Sequence, residues 1–112
     1  IITDGRQLTQ QNKIEALGLT TYMSAVIIND NPRHLKPHKY SYRHMEKQFV
    51  PDCEFCYVGD NTSKDFMVPN SLGWRTVCLL DDGRNIHKQS FEEDYCKPQY
   101  CVTKMSEILD LL

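Results

Sequence analysis

Four apolar runs in this 112-residue chain are each followed at once by oxygen-bearing residues: Thr3-Asp4, Asn29-Asp30, Gly59-Asp60-Asn61 and Asp81-Asp82. Carboxylate, amide and hydroxyl oxygens are hard donors, and a set of them suits Mg²⁺ better than zinc. Each residue also has an ordinary reason to follow a strand, because Asp and Asn favour turns and helix N-caps. The set therefore says more than any member. The softer donors are arranged differently. Cys53 and Cys56 have the spacing of half a zinc knuckle, with Cys96 and Cys101 as an imaginable second half. Yet Cys56 and Cys101 lie in strand-like apolar runs, where cysteine packs as a small hydrophobe. His34, His38, His44 and His87 show no metal-ligand spacing and are expected on a solvated surface. Asn61-Thr62-Ser63 matches a glycosylation acceptor, read here as coincidence.

The elements that would position these groups follow from hydrophobic spacing. Ile1-Ile2-Thr3 reads as the end of a strand, and Arg6 to Leu17 as a polar helix ended by Gly18. Ala25-Val26-Ile27-Ile28 is a β-branched run of the kind covered on both faces. Tyr42, Met45 and Phe49 mark one face of a helix that should stop before Pro51. Phe55 to Val58 and Thr76 to Leu80 are two further strands, and Tyr100 to Val102 is a weaker fifth. Between them lies a short segment carrying Phe66, Met67 and Leu72, and Met105, Ile108, Leu109 and Leu112 make a closing amphipathic helix. Strands and helices alternating at this spacing imply right-handed βαβ units. The expected fold is α/β, a Rossmann-like parallel sheet with helices on both faces, whose ligands bind at the carboxyl ends of the strands.

Composition narrows the class. A chain of this length holds one core, and with no repeat, linker or low-complexity tract a single domain over 1–112 is expected. With 13 Lys+Arg against 15 Asp+Glu, the charge balance argues against a nucleic-acid or anionic-membrane partner. No apolar run nears the roughly 18 residues of a membrane span, and the first residues read as no signal peptide. Five cysteines, an odd number, favour a reduced, cytoplasmic setting.

Three motifs in order then resemble the haloacid dehalogenase (HAD) superfamily of phosphatases: Ile1-Ile2-Thr3-Asp4-Gly5, Leu35-Lys36-Pro37, and Tyr57-Val58-Gly59-Asp60-Asn61 with Lys64-Asp65. Leu72-Gly73-Trp74-Arg75-Thr76-Val77 is similar to the turn and strand that usually follow. The resemblance runs over nearly the whole chain. It implies a Mg²⁺-dependent hydrolase of phosphate monoesters that works through an aspartyl-phosphate. Thr3, Asp4 and Lys36 would then bind the phosphate, Thr3 by its hydroxyl and Lys36 as a compact positive charge facing nucleophile and phosphoryl group. Asp60 would ligate Mg²⁺, and Asp65 would bind a metal-bound water or hold Lys36 in place. The metal would neutralise phosphate charge and align the attack.

One motif of the family has no counterpart. Its first strand ends Asp-x-Asp and supplies the nucleophile, yet only two residues precede Thr3, and Asp81-Asp82 follows the wrong strand and lacks the spacing. The chain thus resembles the carboxyl-terminal part of a HAD core lacking the motif I strand, and it should be inactive alone. The family's cap, which sets substrate choice, has no room between Thr3 and Lys36. Expected partners are a small phosphorylated substrate and either a second copy or the missing segment, because exposed central edges invite association. The sheet should show a gap, a substitute strand or an exchanged strand between the strands ending in Thr3 and Asp60. Two other readings stand beside this one: an inactive HAD-like binding or assembly module, and a zinc-bearing interaction domain that a metal assay finding no zinc would remove.

Overall fold

The computed structural model describes residues 1–49 and 52–112. The expected stop at Pro51 lies outside the described residues. The chain is an α/β structure of parallel strands and helices, and it divides into two compact units, Ile1–Pro51 and Asp52–Leu112.

In the first unit, strand β1 (Ile2–Asp4) leads to helix α1 (Gln7–Ala16), strand β2 (Ile27–Asn29) and helix α2 (Tyr40–Gln48). β1 and β2 pair in parallel, Thr3 opposite Ile28 and Asp4 opposite Asn29. α1 is as polar as its sequence: Ile14 is buried, while Leu8 and Leu17 are exposed. β2 departs from expectation, since Val26 is exposed and Ile27 and Ile28 are half-buried. With these side chains only partly shielded, the β-branched run is not fully covered on both faces among the described residues. In α2, Tyr42 is fully buried, but Phe49 falls in extended backbone beyond the helix and does not share its face. Lys36 precedes this helix in a turn, where its bond to Pro37 is cis.

The second unit is built around β4 (Arg75–Leu79), the middle strand between β3 (Cys56–Gly59) and β5 (Tyr100–Val102), all parallel. Val77 is fully buried and packs with Val102 and Ile108, with Cys56, Val58, Leu79 and Leu111 around them. Each such aliphatic side chain contributes about 1.5–3 kcal/mol on burial. The opposite face of β4 carries Thr76, whose hydroxyl donates to Asn70 Oδ1 (2.7 Å) on helix α3 (Met67–Ser71). Helical segments therefore cover both faces of this sheet. The closing segment Met105–Leu111 is a 3₁₀ helix rather than an α-helix. Three residues per turn align Ile108 and Leu111 on the core side and leave Leu109 and Leu112 exposed, where a 3.6 period would have buried them.

Among the described residues the ladders form two sheets, β1-β2 and β3-β4-β5.

Candidate functional site

The first group of candidate residues sits where β1 ends. Thr3 lies inside β1 and Asp4 closes it. Gly5 follows at φ 140°, a region open to glycine, and a Cβ there would meet the Gln10 side chain. Gln10 uses that space to donate its amide to the Asp4 carbonyl (3.0 Å). The Asp4 carboxylate faces across the ladder. Its Oδ1 accepts from Asn29 Nδ2 (2.9 Å) and its Oδ2 from the Lys36 backbone N–H (3.1 Å). Asn29 is held in turn, its Oδ1 accepting from the Ser41 hydroxyl at 2.5 Å. Asn29 and Ser41 are buried, so this chain of bonds joins β1, β2 and α2 away from solvent. The structure brings Asp4 and Lys36 together through the Lys36 main chain. Beyond β2, a cavity of about 480 Å³ is lined by Asn29, Asp30, His34, Tyr40 and His44. His34 is not simply solvated: it is half-buried and stacks on Tyr40, ring centroids 3.8 Å apart.

The second group sits where β3 ends. Asp65 is buried, and its Oδ2 accepts from the backbone N–H of Asn61 (2.9 Å) and of Asp60 (3.3 Å). The carboxylate passes so close beneath the strand end that a Cβ on residue 59 would lie 2.7 Å from Asp65 Oδ2. Only glycine leaves room for this clamp. Asn61 is buried too, with its Oδ1 accepting from Ser63 N–H and Oγ, so the glycosylation match faces inward. Asp60 is half-buried and turned toward the loop after β4. Its Oδ2 accepts from Asn85 Nδ2 (2.8 Å) and its carbonyl from Gln89 Nε2 (2.9 Å). A cavity of about 470 Å³ opens here, lined by Asp60, Leu79, Asp81, Arg84, Asn85 and Lys104 among others.

The remaining acids serve this loop. Asp81 Oδ1 accepts from the N–H groups of Gly83 and Asn85 (both 2.8 Å). Asp82 pairs with Arg84, whose hydrogen bonds hold its carboxyl below the usual carboxylate range. Cys78, behind them on β4, is fully buried, and desolvation pushes its thiol up to about 12.

Asp60 fits a hard divalent cation. It is a carboxylate whose Oδ1 accepts no hydrogen bond among the described residues, and the cavity beside it is lined by the oxygen-bearing Asp81, Asp82, Asn85 and Thr103 together with the cations Arg84 and Lys104. Among the described residues no three His, Cys, Asp or Glu side chains converge to hold a metal. Mg²⁺ commonly uses one or two carboxylates and keeps waters or phosphate oxygens elsewhere, so one ligand from this unit is a sufficient contribution.

The sequence marks Asn29 only as a polar residue after a strand, and nothing in local pattern marks Ser41, Asn85 or Gln89. Their roles depend on partners 12 to 29 residues away.

Comparison with known proteins adds an independent line. A sequence model of the haloacid dehalogenase-like hydrolases matches residues 1–79. A glyceraldehyde 3-phosphate phosphatase of Methanocaldococcus jannaschii is 26% identical over the whole chain, and one of Pyrococcus furiosus is 29% identical. A third, from Pyrococcus abyssi, is 35% identical over 69% of the chain. The chain spans about half the length of the first two, 47% and 46%. A similar solved structure is that of the HAD-hydrolase YfnB from Bacillus subtilis, bound to magnesium. It matches all of this chain and 46% of its own at a TM-score of 0.75 and 18% identity, a likeness of fold.

Proposed function

Because the chain belongs to the haloacid dehalogenase-like hydrolase family, we propose that it is the carboxyl-terminal part, one domain over 1–112, of a Mg²⁺-dependent phosphatase. The nucleophilic Asp lies outside these residues. The substrate is a small phosphate monoester, of which glyceraldehyde 3-phosphate, named for the relatives, is the first to try. The observation that carries the reading is the bond from the Lys36 backbone to the Asp4 carboxylate, which fastens a lysine to the end of the Thr3 strand.

In this mechanism Thr3 donates its hydroxyl to a phosphoryl oxygen, and Lys36 meets the charge that builds on the transferring group. Asp4 serves phosphate binding by placing Lys36, since a carboxylate touching the phosphate directly would repel it. Asp60 is the residue that would hold Mg²⁺, with Asp65 shaping the turn that presents it. When bound, the ion neutralises phosphate charge and aligns the displacement. The aspartyl-phosphate forms on the Asp outside these residues and is then hydrolysed, which splits one hard step into two. A cytoplasmic location accords with this chemistry.

Phosphate release from p-nitrophenyl phosphate and glyceraldehyde 3-phosphate, with Mg²⁺, tests the proposal. The 112-residue chain alone should release none above the Asp60→Ala background. Joined to a family segment whose apolar strand ends Asp-x-Asp, it should release phosphate in a Mg²⁺-dependent way that Lys36→Ala and Asp60→Ala each abolish. Turnover by the isolated chain that Asp60→Ala removes would place the nucleophile within it and overturn the proposal.

A further inference from the structure

We propose that residues 81–90 form a latch that sets the orientation of the Asp60 carboxylate, with Asn85 and Gln89 as its positioning residues. The inference rests on the reading of Asp60 as a cation ligand.

Asn85 is fixed at three points. Its backbone N–H donates to Asp81 Oδ1 (2.8 Å) and its Oδ1 accepts from the His87 N–H (2.8 Å). With its oxygen taken by a backbone donor, the Nδ2 end must be the one that meets Asp60 Oδ2. Gln89 makes the second tie. Its Oε1 accepts from the Asp81 N–H (3.0 Å), and its Nε2 lies 2.9 Å from both the Asp60 and the Leu79 carbonyl oxygens. One side chain thereby spans the carboxyl ends of β3 and β4. Ser90 adds an N–H bond to Thr62 Oγ1 (2.9 Å).

Apolar packing does not explain this loop. Ile86, in its middle, is 91% exposed, whereas the two amides are half-buried. The donor chosen for Asp60 is informative as well. Arg84 lines the same cavity, yet it pairs with Asp82, and Asp60 receives a neutral amide. A guanidinium would compete with a cation for the carboxylate; an amide holds one oxygen in place and leaves the charge intact. Oδ2 is thus fixed and Oδ1 is kept for a ligand.

The test is a Mg²⁺ titration of the ¹⁵N NMR spectrum of the whole chain, comparing wild type with Asp60→Ala, Asn85→Ala, Gln89→Ala and Ile86→Ala. Residues around Asp60 should shift in wild type and in Ile86→Ala at the same midpoint, and Asp60→Ala should lose the response. Asn85→Ala and Gln89→Ala should raise the midpoint by about 10-fold. An unchanged midpoint in both amide variants would overturn the latch and leave the cation reading standing. A wild-type chain that does not respond, or an Asp60→Ala chain that does, would sink the cation reading instead. The latch is then decided without metal: the Asn85 side-chain NH₂ signals should move in Asp60→Ala, and unmoved signals overturn it.

Discussion

The turn that ends β1 and the turn that ends β3 both use a carboxylate to hold amide groups, two backbone N–H groups for Asp65 and one backbone and one side-chain amide for Asp4, but they reach for partners over different distances. Asp65 grips Asp60 and Asn61, five and four residues away. Asp4 grips Lys36 and Asn29, which are 32 and 25 residues away, with Ser41 supporting Asn29 from a third element. A local clamp survives as long as its own turn does. A distributed one requires β1, β2 and α2 to be assembled together. In both turns a carboxylate shapes the backbone at a candidate residue, Asp65 at Asp60 and Asp4 at Lys36.

The largest effect should come from breaking the local clamp. Asp65→Ala leaves two turn amides without their charged acceptor, at about 1.5–3 kcal/mol each. We expect a loss of about 3 kcal/mol or more in urea denaturation, with faster hydrogen exchange at Asp60 and Asn61 than at Lys36. Equal acceleration at Lys36 would show that the two turns are not independent.

A smaller loss should follow Ser41→Ala, which leaves the buried Asn29 Oδ1 without its 2.5 Å donor. The cost should be about 1–3 kcal/mol. Because this clamp is distributed, exchange should quicken at Lys36 and Gly5 while Asn61 stays protected. A response confined to Ser41 itself would contradict the distributed description.

The least effect concerns Cys78, which lies against Gln89 beneath the second turn (3.6 Å). Burial raises its thiol from 9.0 to about 12, so at pH 8 only on the order of one molecule in ten thousand carries the reactive thiolate. Iodoacetamide followed by mass spectrometry should leave Cys78 unmodified in the folded chain and modify it after denaturation. The raised value also has a sign for stability: its contribution is complete below pH 9 and is lost as pH rises toward 12, where the unfolded thiol ionises first. Denaturation midpoints across pH 8 to 11 check this.

The same contrast explains what could be read in advance. Gly59, Asp60 and Asp65 stand within seven residues of one another, so their clamp left a short motif. The strands were visible as apolar runs, and even the weak Tyr100–Val102 strand appears at the expected residues. Missed features share one cause. The 3₁₀ period of the closing helix, the exposure along β2 and the placing of Phe49 beyond α2 each depend on packing against the rest of the fold, which local pattern does not carry.

Residue types and spacing by themselves determined the parallel α/β class and the oxygen-bearing residues at the strand ends, because those features are short-range and periodic, and the resemblance of three ordered motifs to the family added Lys36 and Asp65 to Thr3, Asp4 and Asp60 as candidates. Only the tertiary structure decided that Asp4 serves Lys36, that Asn29 and Ser41 stand behind Asp4, and that Asn85 and Gln89 stand behind Asp60. The physical reason is that a neutral amide or hydroxyl has no spacing signature. It becomes a partner only when folding brings a buried acceptor within about 3 Å.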